Sequence, residues 1–370
     1  MARSPLYDRH KALNAKFLDF HGWEMPLEYS GSVKEHTAVR TAAGIFDVSH
    51  MGVIEVGGAD SIQFLERALT FAPESLKPDH ARYAFLLNEK GGIKDDLMVF
   101  RLNEERFILV VNASNREKDL NRLRGIGRDF RAVLIDDSPD SCILALQGPA
   151  SWEIASSTFG IKPSGFPYHS FINFVFSGSG VILSKTGYTG EKGFEVYAHR
   201  KVAGAIWDLL LERGKNSGIL PCGLAARDTL RLEMGYLLYG NDIDEDTSPI
   251  EAGYSNFIDL ENEKFIGRNA LLKIKEKGPG RRLVGLALTD PGVPRRGCPV
   301  TSGGKEIGVV TSGNFSPSLH KGIAMAYIPA TGINDGAIII RGRAHAAEVV
   351  EFPFYRKAGS PALTGNPALK

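Results

Sequence analysis

Four short segments of this chain hold residues whose types and spacing suit chemistry. In GGIKDDLMVF (91–100), Asp95 and Asp96 stand at the entry to an apolar strand. An ordinary aspartate titrates near ~4, so both are charged at neutral pH. Consecutive strand residues point to opposite faces, so only one of the two faces a pocket. Asp95 shares parity with Leu97 and Val99, and Asp96 with Met98 and Phe100. Both faces are apolar and parity leaves the choice open; a solvated turn beside Lys94 is the plainer alternative.

FDVSHMG (46–52) gathers Asp47, Ser49, His50 and Met51 in a turn-like stretch that suits a helix cap or a core histidine as well as a site. In KTGYTGEKGFEVY (185–197), Glu195 lies between Phe194 and Val196. It either faces water or accepts paired N–H donors from a heterocycle such as a pterin. PCGLAARDTLRLEMG (221–235) puts Arg227 early in a helix, where it forms a surface ion pair with Asp228 or Glu233 or clamps a ligand carboxylate.

Other chemistries lack their signatures. There is no GxxxxGK[ST] phosphate loop, no CxxC, no HExxH and no GxSxG. The nine histidines never fall at i, i+4 spacing, which argues against zinc. The Gly-rich GSG (178–180) and GYTGEKG (187–193) each lead into strand-like sequence, not the helix that a dinucleotide site needs. The expected chemistry uses no metal and no protein nucleophile, and leaves carboxylates, hydrogen bonds and an external small molecule.

The elements that position these residues are legible in part. At 370 residues the chain is long for one core, so two or three domains are expected. Forty-one glycines suggest many turns and a β-rich build. Residues 1–54 show little periodicity. GVIEVGG reads as a strand, DSIQFLERAL as a helix with Ile62, Leu65 and Leu69 on one face, and ARYAFLLNEKGGIKDDLMVFRL as two strands around a Gly-Gly turn. RFILVVNA is a buried strand, and Ser114 with Glu117 has capping-box spacing for the helix that follows. CILALQGP reads as a strand and ASWEIASS as a helix. KVAGAIWDLLLERGKNSG is amphipathic, with Val202, Ile206, Leu209 and Leu210 on one face. KIKEKGPGRR reads as a linker, and RLVGLALT, EIGVVTS, GIAMAYIP, AIIIRG and AAEVVEF as strands of a terminal barrel or sandwich. The tail after Gly359 is expected to fray.

Bulk properties restrict partners and location. The 44 basic and 43 acidic residues give a net charge of +1, which calls for neither nucleic acid nor an anionic membrane. Cys142, Cys222 and Cys298 are odd in number and far apart, so reduced thiols are expected. The first residues have no apolar signal region, and no stretch approaches the ~20 apolar residues of a spanning helix. A cytoplasmic location is the expectation.

Taken together, the segments resemble a known family. HGWEMPLEY, EHTAVR, GIFDVSHMG, GGIKDDLMVF, LVVNASNREKD, LALQGP, TGYTGEKGFE, PCGLAARDTLRLEMGYLLYGNDIDEDTSP, FIGR and VTSGNFSPSL follow, in order, the motif series of the folate-binding glycine cleavage T-proteins. The resemblance runs from about residue 6 to residue 357 and is closest to the aminomethyltransferase branch. It implies a β-rich α+β fold: a three-domain cloverleaf around a central folate channel, ending in a C-terminal β-barrel. The implied domains are 1–54 with 137–275, an inserted 55–136, and 276–370. The implied reaction takes an aminomethyl group from the lipoyl arm of the H-protein, passes its carbon to tetrahydrofolate and releases ammonia.

By motif, Asp95 takes the catalytic role, Glu195 the pterin edge and Arg227 the glutamyl tail. Met51, Asn112, Tyr168 and Tyr188 match pocket-wall positions. Arg356 matches a second tail anchor, with Tyr355 as its rival. Asn256 and Met234 depart from the usual residues and bear on substrate preference. A folate-dependent demethylase of a small methylated substrate is the alternative. Non-catalytic relatives carry a KGCYxGQE-type stretch that this chain lacks.

Overall fold

The computed structural model describes residues 1–162, 167–333 and 335–357. The tail whose fraying was expected lies outside them. The chain divides into two compact units, Met1–Arg67, Ala72–Ala84 and Leu97–Asp228 in one, and Ala68–Phe71, Phe85–Asp96 and Thr229–Lys370 in the other.

The first unit is built on a six-stranded sheet among the described residues. Its order is Phe171–Phe176, Ser179–Ser184, Gly193–His199, Ser141–Gln147, Ala43–Asp47, Ile219–Pro221. CILALQ is buried at every position, which is why an unbroken apolar run suits this central strand. The helices Ser151–Phe159 and Arg200–Gly214 add Ile154, Ile206, Trp207 and Leu210 to the same core. The predicted stripe of Arg200–Gly214 is present but turned: Ala203 and Trp207 are buried, while Leu209 is only partly so.

Residues 1–54 hold more structure than their sequence suggests. Ala2–Arg3, Trp23–Glu28 and Lys16–Phe20 form a small sheet, and Ser32–Thr41 is a helix. The buried positions of that helix are Glu35, His36, Ala38, Val39 and Arg40, so its inward face is mostly polar and no apolar period marks it.

A five-stranded sheet runs in the order His80–Leu87, Ile93–Arg101, Arg106–Val111, Gly52–Gly57, Val133–Asp136. The expected Gly-Gly turn joins its first two strands. The expected capping box is not formed. The helix is Arg116–Ile126 with Asn115 at its N-cap, and no side chain caps it. Asn115 N–H bonds Asn112 O, and Asn115 O takes Asp119 N–H, so the turn starts the helix one residue beyond Ser114.

The second unit contains a closed barrel in the order Arg281–Leu288, Lys321–Pro329, Lys305–Ser316, Pro299–Ser302, Gly336–Ile340, Arg343–Val350. Arg343–Val350 pairs back onto Arg281–Leu288 (Leu286↔Val349), which closes it. Five strands match the sequence reading; Pro299–Ser302 is additional. The expected linker is shorter than predicted. KIKEK is helical within Arg268–Lys277, anchored by buried Leu271, and the helix stops at Gly278 in a positive-φ conformation. No helix among the described residues is long and apolar enough to cross a membrane. Cys142, Cys222 and Cys298 are free thiols.

Candidate functional site

The second unit presents Asp95. The turn before it is closed by Asn88, whose Oδ1 accepts the N–H of Lys90 (2.9 Å) and Gly92 (3.0 Å). Asn88 Nδ2 donates to Glu245 O at 2.8 Å. Gly92 is required here, because a Cβ would stand 1.8 Å from Glu245 O. Ile93 N–H is shared between Asp244 O (3.1 Å) and Thr247 O (3.0 Å), and Lys94 Nζ reaches Glu245 Oε2 at 3.0 Å. The strand therefore enters already fixed to residues 244–247, and its alternation then splits the aspartates. Asp95 is fully buried with Leu97 and Val99, whereas Asp96 is half-buried.

In the same unit, buried Glu233 accepts hydrogen bonds from Ser316 Oγ (2.5 Å), Ser318 N–H (3.0 Å) and Ser318 Oγ (2.8 Å). Its backbone carbonyl takes Tyr355 N–H at 3.1 Å. Arg356 is exposed, with Nη2 3.5 Å from Phe352 O and 3.9 Å from Glu351. The Glu233 carboxylate thereby holds the loop 314–318.

The first unit collects most of the other predicted residues. Glu195, on the strand Gly193–His199, is 9% exposed rather than facing water. Its Oε2 accepts Thr186 Oγ1 at 2.5 Å and Tyr197 OH at 3.0 Å. Burial pushes the Tyr197 phenol well up, and Glu195 adds to the rise while Arg227 opposes it. Arg227 lies over the Tyr188 ring at 4.6 Å, a cation–π stack. Tyr197 packs edge-on against Phe100 at 5.0 Å. Tyr197 thus bonds the Glu195 carboxylate and lies within electrostatic reach of Arg227, which stacks on Tyr188.

His50 packs edge-on against Phe20 at 5.2 Å and lies within electrostatic reach of Arg227. It is 4% exposed, and its Nδ1 has no hydrogen-bond partner among the described residues. Burial lowers its pKa to about 3, and the Arg227 charge acts in the same direction. The imidazole is neutral at physiological pH. Met51 and Asn112 are partly buried, Met51 just before the strand Gly52–Gly57 and Asn112 just after Arg106–Val111. Tyr168 is half exposed, and Lys185 Nζ stands 4.3 Å from its ring and 4.4 Å from that of Trp152.

Sequence reasoning missed Tyr197, Asn88 and Glu245. Tyr197 lies two residues beyond Glu195 and so on the same strand face, a signal that period-2 reading contains. Asn88 and Glu245 are 157 positions apart, and only the fold joins them.

Comparison with known proteins finds relatives over nearly the whole chain. Residues 6–262 match the GCVT N-terminal domain, and residues 281–356 match the glycine cleavage T-protein C-terminal barrel domain. The chain belongs to the glycine cleavage T-protein family. The aminomethyltransferase of Halothermothrix orenii is 43% identical over 357 residues, covering 96% of this chain and 100% of that protein. The aminomethyltransferase of Symbiobacterium thermophilum is 45% identical over 366 residues, covering 96% and 98%. The crystal structure of glycine cleavage system aminomethyltransferase T from Bartonella henselae superposes with a TM-score of 0.90 at 38% identity, covering 95% of this chain and 98% of that one. The two positions expected to depart from the family motif fall in different settings: Asn256 is exposed on the short turn Ser255–Phe257, and Met234 is buried at the end of Leu224–Met234.

Proposed function

We propose that this chain is a tetrahydrofolate-dependent aminomethyltransferase of glycine catabolism, partnered by lipoylated H-protein in the cytoplasm. The donor is an aminomethyl group on a lipoyl sulfur. N5 and N10 of tetrahydrofolate each form a bond to the methylene carbon and each lose a proton. The C–N bond breaks and nitrogen leaves as ammonia with one of those protons, and the C–S bond breaks with its electron pair returning to sulfur, which takes the other. The products are 5,10-methylenetetrahydrofolate and the dihydrolipoyl arm. The carbon keeps its oxidation level, so the transfer needs neither an oxidant nor a reductant.

The observation that carries this reading is Asp95: a fully buried carboxylate at the start of a strand tied down by residues 244–247, in a chain related along its length to aminomethyltransferases. A carboxylate so fixed hydrogen-bonds the folate amines and stabilises positive charge on the carbon as the C–N bond breaks. Alignment of two bound reactants supplies on the order of 7–11 kcal/mol. Glu195 takes the pterin edge and Arg227 the glutamyl carboxylate, where planar bidentate pairing suits a guanidinium. Met51, Asn112, Tyr168 and Tyr188 line the folate site, and Arg356 is its second tail anchor. The functional domains are 1–54 with 137–275, 55–136, and 276–370.

The test is ammonia release from aminomethyl-loaded H-protein with and without tetrahydrofolate; no folate-dependent acceleration ends the reading. Asp95→Asn lowers turnover roughly 10²–10⁴-fold with folate still bound. Near wild-type turnover in that variant moves the role elsewhere.

A further inference from the structure

The helix Ser32–Thr41 buries two side chains of opposite charge, Glu35 at 0% exposure and Arg40 at 7%. Buried charges are costly unless their hydrogen bonds are made. Here each is spent on one half of the Arg227–Tyr188 stack. Glu35 Oε2 accepts Gly223 N–H at 2.8 Å, and Oε1 accepts the N–H of Tyr29 (2.6 Å) and Ser30 (2.8 Å). Gly223 is the residue before Leu224–Met234, and its carbonyl takes Arg227 N–H at 3.1 Å. Glu35 therefore fixes the peptide on which the Arg227 turn is wound. A Cβ at Gly223 would stand 2.2 Å from Leu27 O, so the helix start is also pressed against residue 27.

Arg40 holds the other half. Its Nη1 donates to Thr189 O at 2.7 Å and lies 3.3 Å from Glu191 Oε1. Thr189 directly follows Tyr188, and its hydroxyl donates to Gln147 Oε1 at 2.9 Å. The loop that carries the Tyr188 ring is thus gripped at the next residue from two sides. The gap between Arg227 and Tyr188 in sequence is 39 positions, yet both are referred to one ten-residue helix.

We infer that Glu35 and Arg40 are positioning residues that together set the Arg227–Tyr188 stack and so tune the enzyme's preference for acceptors with a glutamyl tail. The inference rests on the reading of Arg227 as the group that binds that tail. A purely structural role for the helix predicts something different: loss of folded protein and equal loss on every acceptor.

The experiment compares two acceptors, tetrahydrofolate and tetrahydropteroate, which keeps the pterin and the bridging amine but lacks the glutamyl group. Arg40→Met raises KM for tetrahydrofolate about tenfold, the scale of one charge-assisted hydrogen bond, with kcat unchanged. KM for tetrahydropteroate stays within about twofold, since no tail is present to feel the displaced guanidinium. Arg40→Lys keeps an N–H donor for Thr189 O and restores most of the preference. Glu35→Gln keeps the volume but puts an NH₂ where an acceptor is needed, and gives the same split as Arg40→Met; it carries the test if Arg40→Met does not fold.

Equal losses on both acceptors that track a fall in thermal midpoint overturn the inference, as does an unchanged ratio of the two KM values. Arg227→Ala is the control. If it leaves the ratio unchanged, the reading of Arg227 falls and takes the inference with it. If it collapses the ratio and the Glu35 and Arg40 variants do not, the inference alone falls.

Discussion

Asp47 and Leu286 are both buried at strand positions, one in Ala43–Asp47 and the other in the barrel strand Arg281–Leu288. The side chains that bond Asp47 make a polar network. Its Oδ2 accepts from Ser4 and lies 2.7 Å from His10 Nε2, while Oδ1 accepts Ser49 N–H (2.9 Å) and Ser49 Oγ (2.5 Å). His10 Nδ1 continues to Tyr29 OH at 2.9 Å, and Ser49 Oγ lies 2.9 Å from Cys142 Sγ. Burial alone would raise the Asp47 pKa, but His10, Ser4 and Ser49 outweigh it and hold the carboxyl below its usual range. Around Leu286 everything is apolar: Val284, Leu288, Val310, Ile328 and Ile338 share its cluster. In the first interior, position is set by which atom bonds which. In the second it is set by volume. The first tolerates no exchange of partner even at constant size, and the second tolerates exchange so long as size is kept.

The largest expected effect follows from that contrast. Asp47→Leu keeps the bulk but removes the acceptor that His10, Ser4 and Ser49 share, and costs about 3–5 kcal/mol, the scale of stripping one partner from a buried pair. Urea unfolding followed by tryptophan fluorescence reads it directly. The three tryptophans, Trp23, Trp152 and Trp207, are all in this unit, and Trp207 packs edge-on against His10 at 5.0 Å. A cost under about 1 kcal/mol would mean that the network is not what holds the segment, and the comparison would break. In the barrel, Leu286→Ala costs about 2–5 kcal/mol through its cavity, while Leu286→Met costs less than about 1.5. Hydrogen exchange at the amides of Arg281–Leu288 separates the two. Equal losses for Ala and Met would show that shape, and not volume, governs the barrel.

The same contrast explains what the sequence could and could not disclose. Barrel strands such as RLVGLALT and GIAMAYIP announce themselves because their interior is apolar and turn residues separate them. PVTS at 299–302 does not, being four residues with one leading proline. The charges of KIKEK suggest a linker, yet one buried leucine, Leu271, is enough to seat its helix. Residues 1–54 gave no period because their buried positions include His10, Glu35, His36, Arg40 and Asp47; hydrophobic periodicity cannot see an interior made of hydrogen bonds. In the candidate site, parity required Asp95 and Asp96 to part, and they do, but only the family motif chose between them. Tyr197 was within reach of the period-2 rule. The grip of Asn88 on Glu245, and of Glu35 on Gly223, joins residues 157 and 188 positions apart, and no local pattern encodes either.

His50 is the case that sharpens the comparison most finely, and its effect is the smallest of the three. It sits in the polar interior, but its Nδ1 makes no hydrogen bond among the described residues, so it has the burial of Leu286 and the chemistry of Asp47. Burial, then Arg227, lower its pKa to about 3, while Asp47 acts the other way. In the unfolded chain a histidine titrates near ~6.5. Below that pH the unfolded state takes up a proton that the folded state refuses, so the contribution of His50 is complete above pH ~6.5 and is lost as pH falls toward 3. At about 1.4 kcal/mol per pH unit, the loss from 6.5 to 5 is about 2 kcal/mol. Asp47 adds nothing in that window, because a carboxyl with a depressed folded pKa yields its stability only below the unfolded value of about 4. Burial also lowers the pKa of His169, which gives a slope of the same sign, so the measurement must be a difference. Urea stabilities of wild type and His50→Gln at pH 7 and pH 5 supply it. The wild type loses about 2 kcal/mol more than the variant between the two. Parallel losses would mean that His50 takes its proton inside the folded protein, and that this interior can supply a partner the imidazole does not use when neutral.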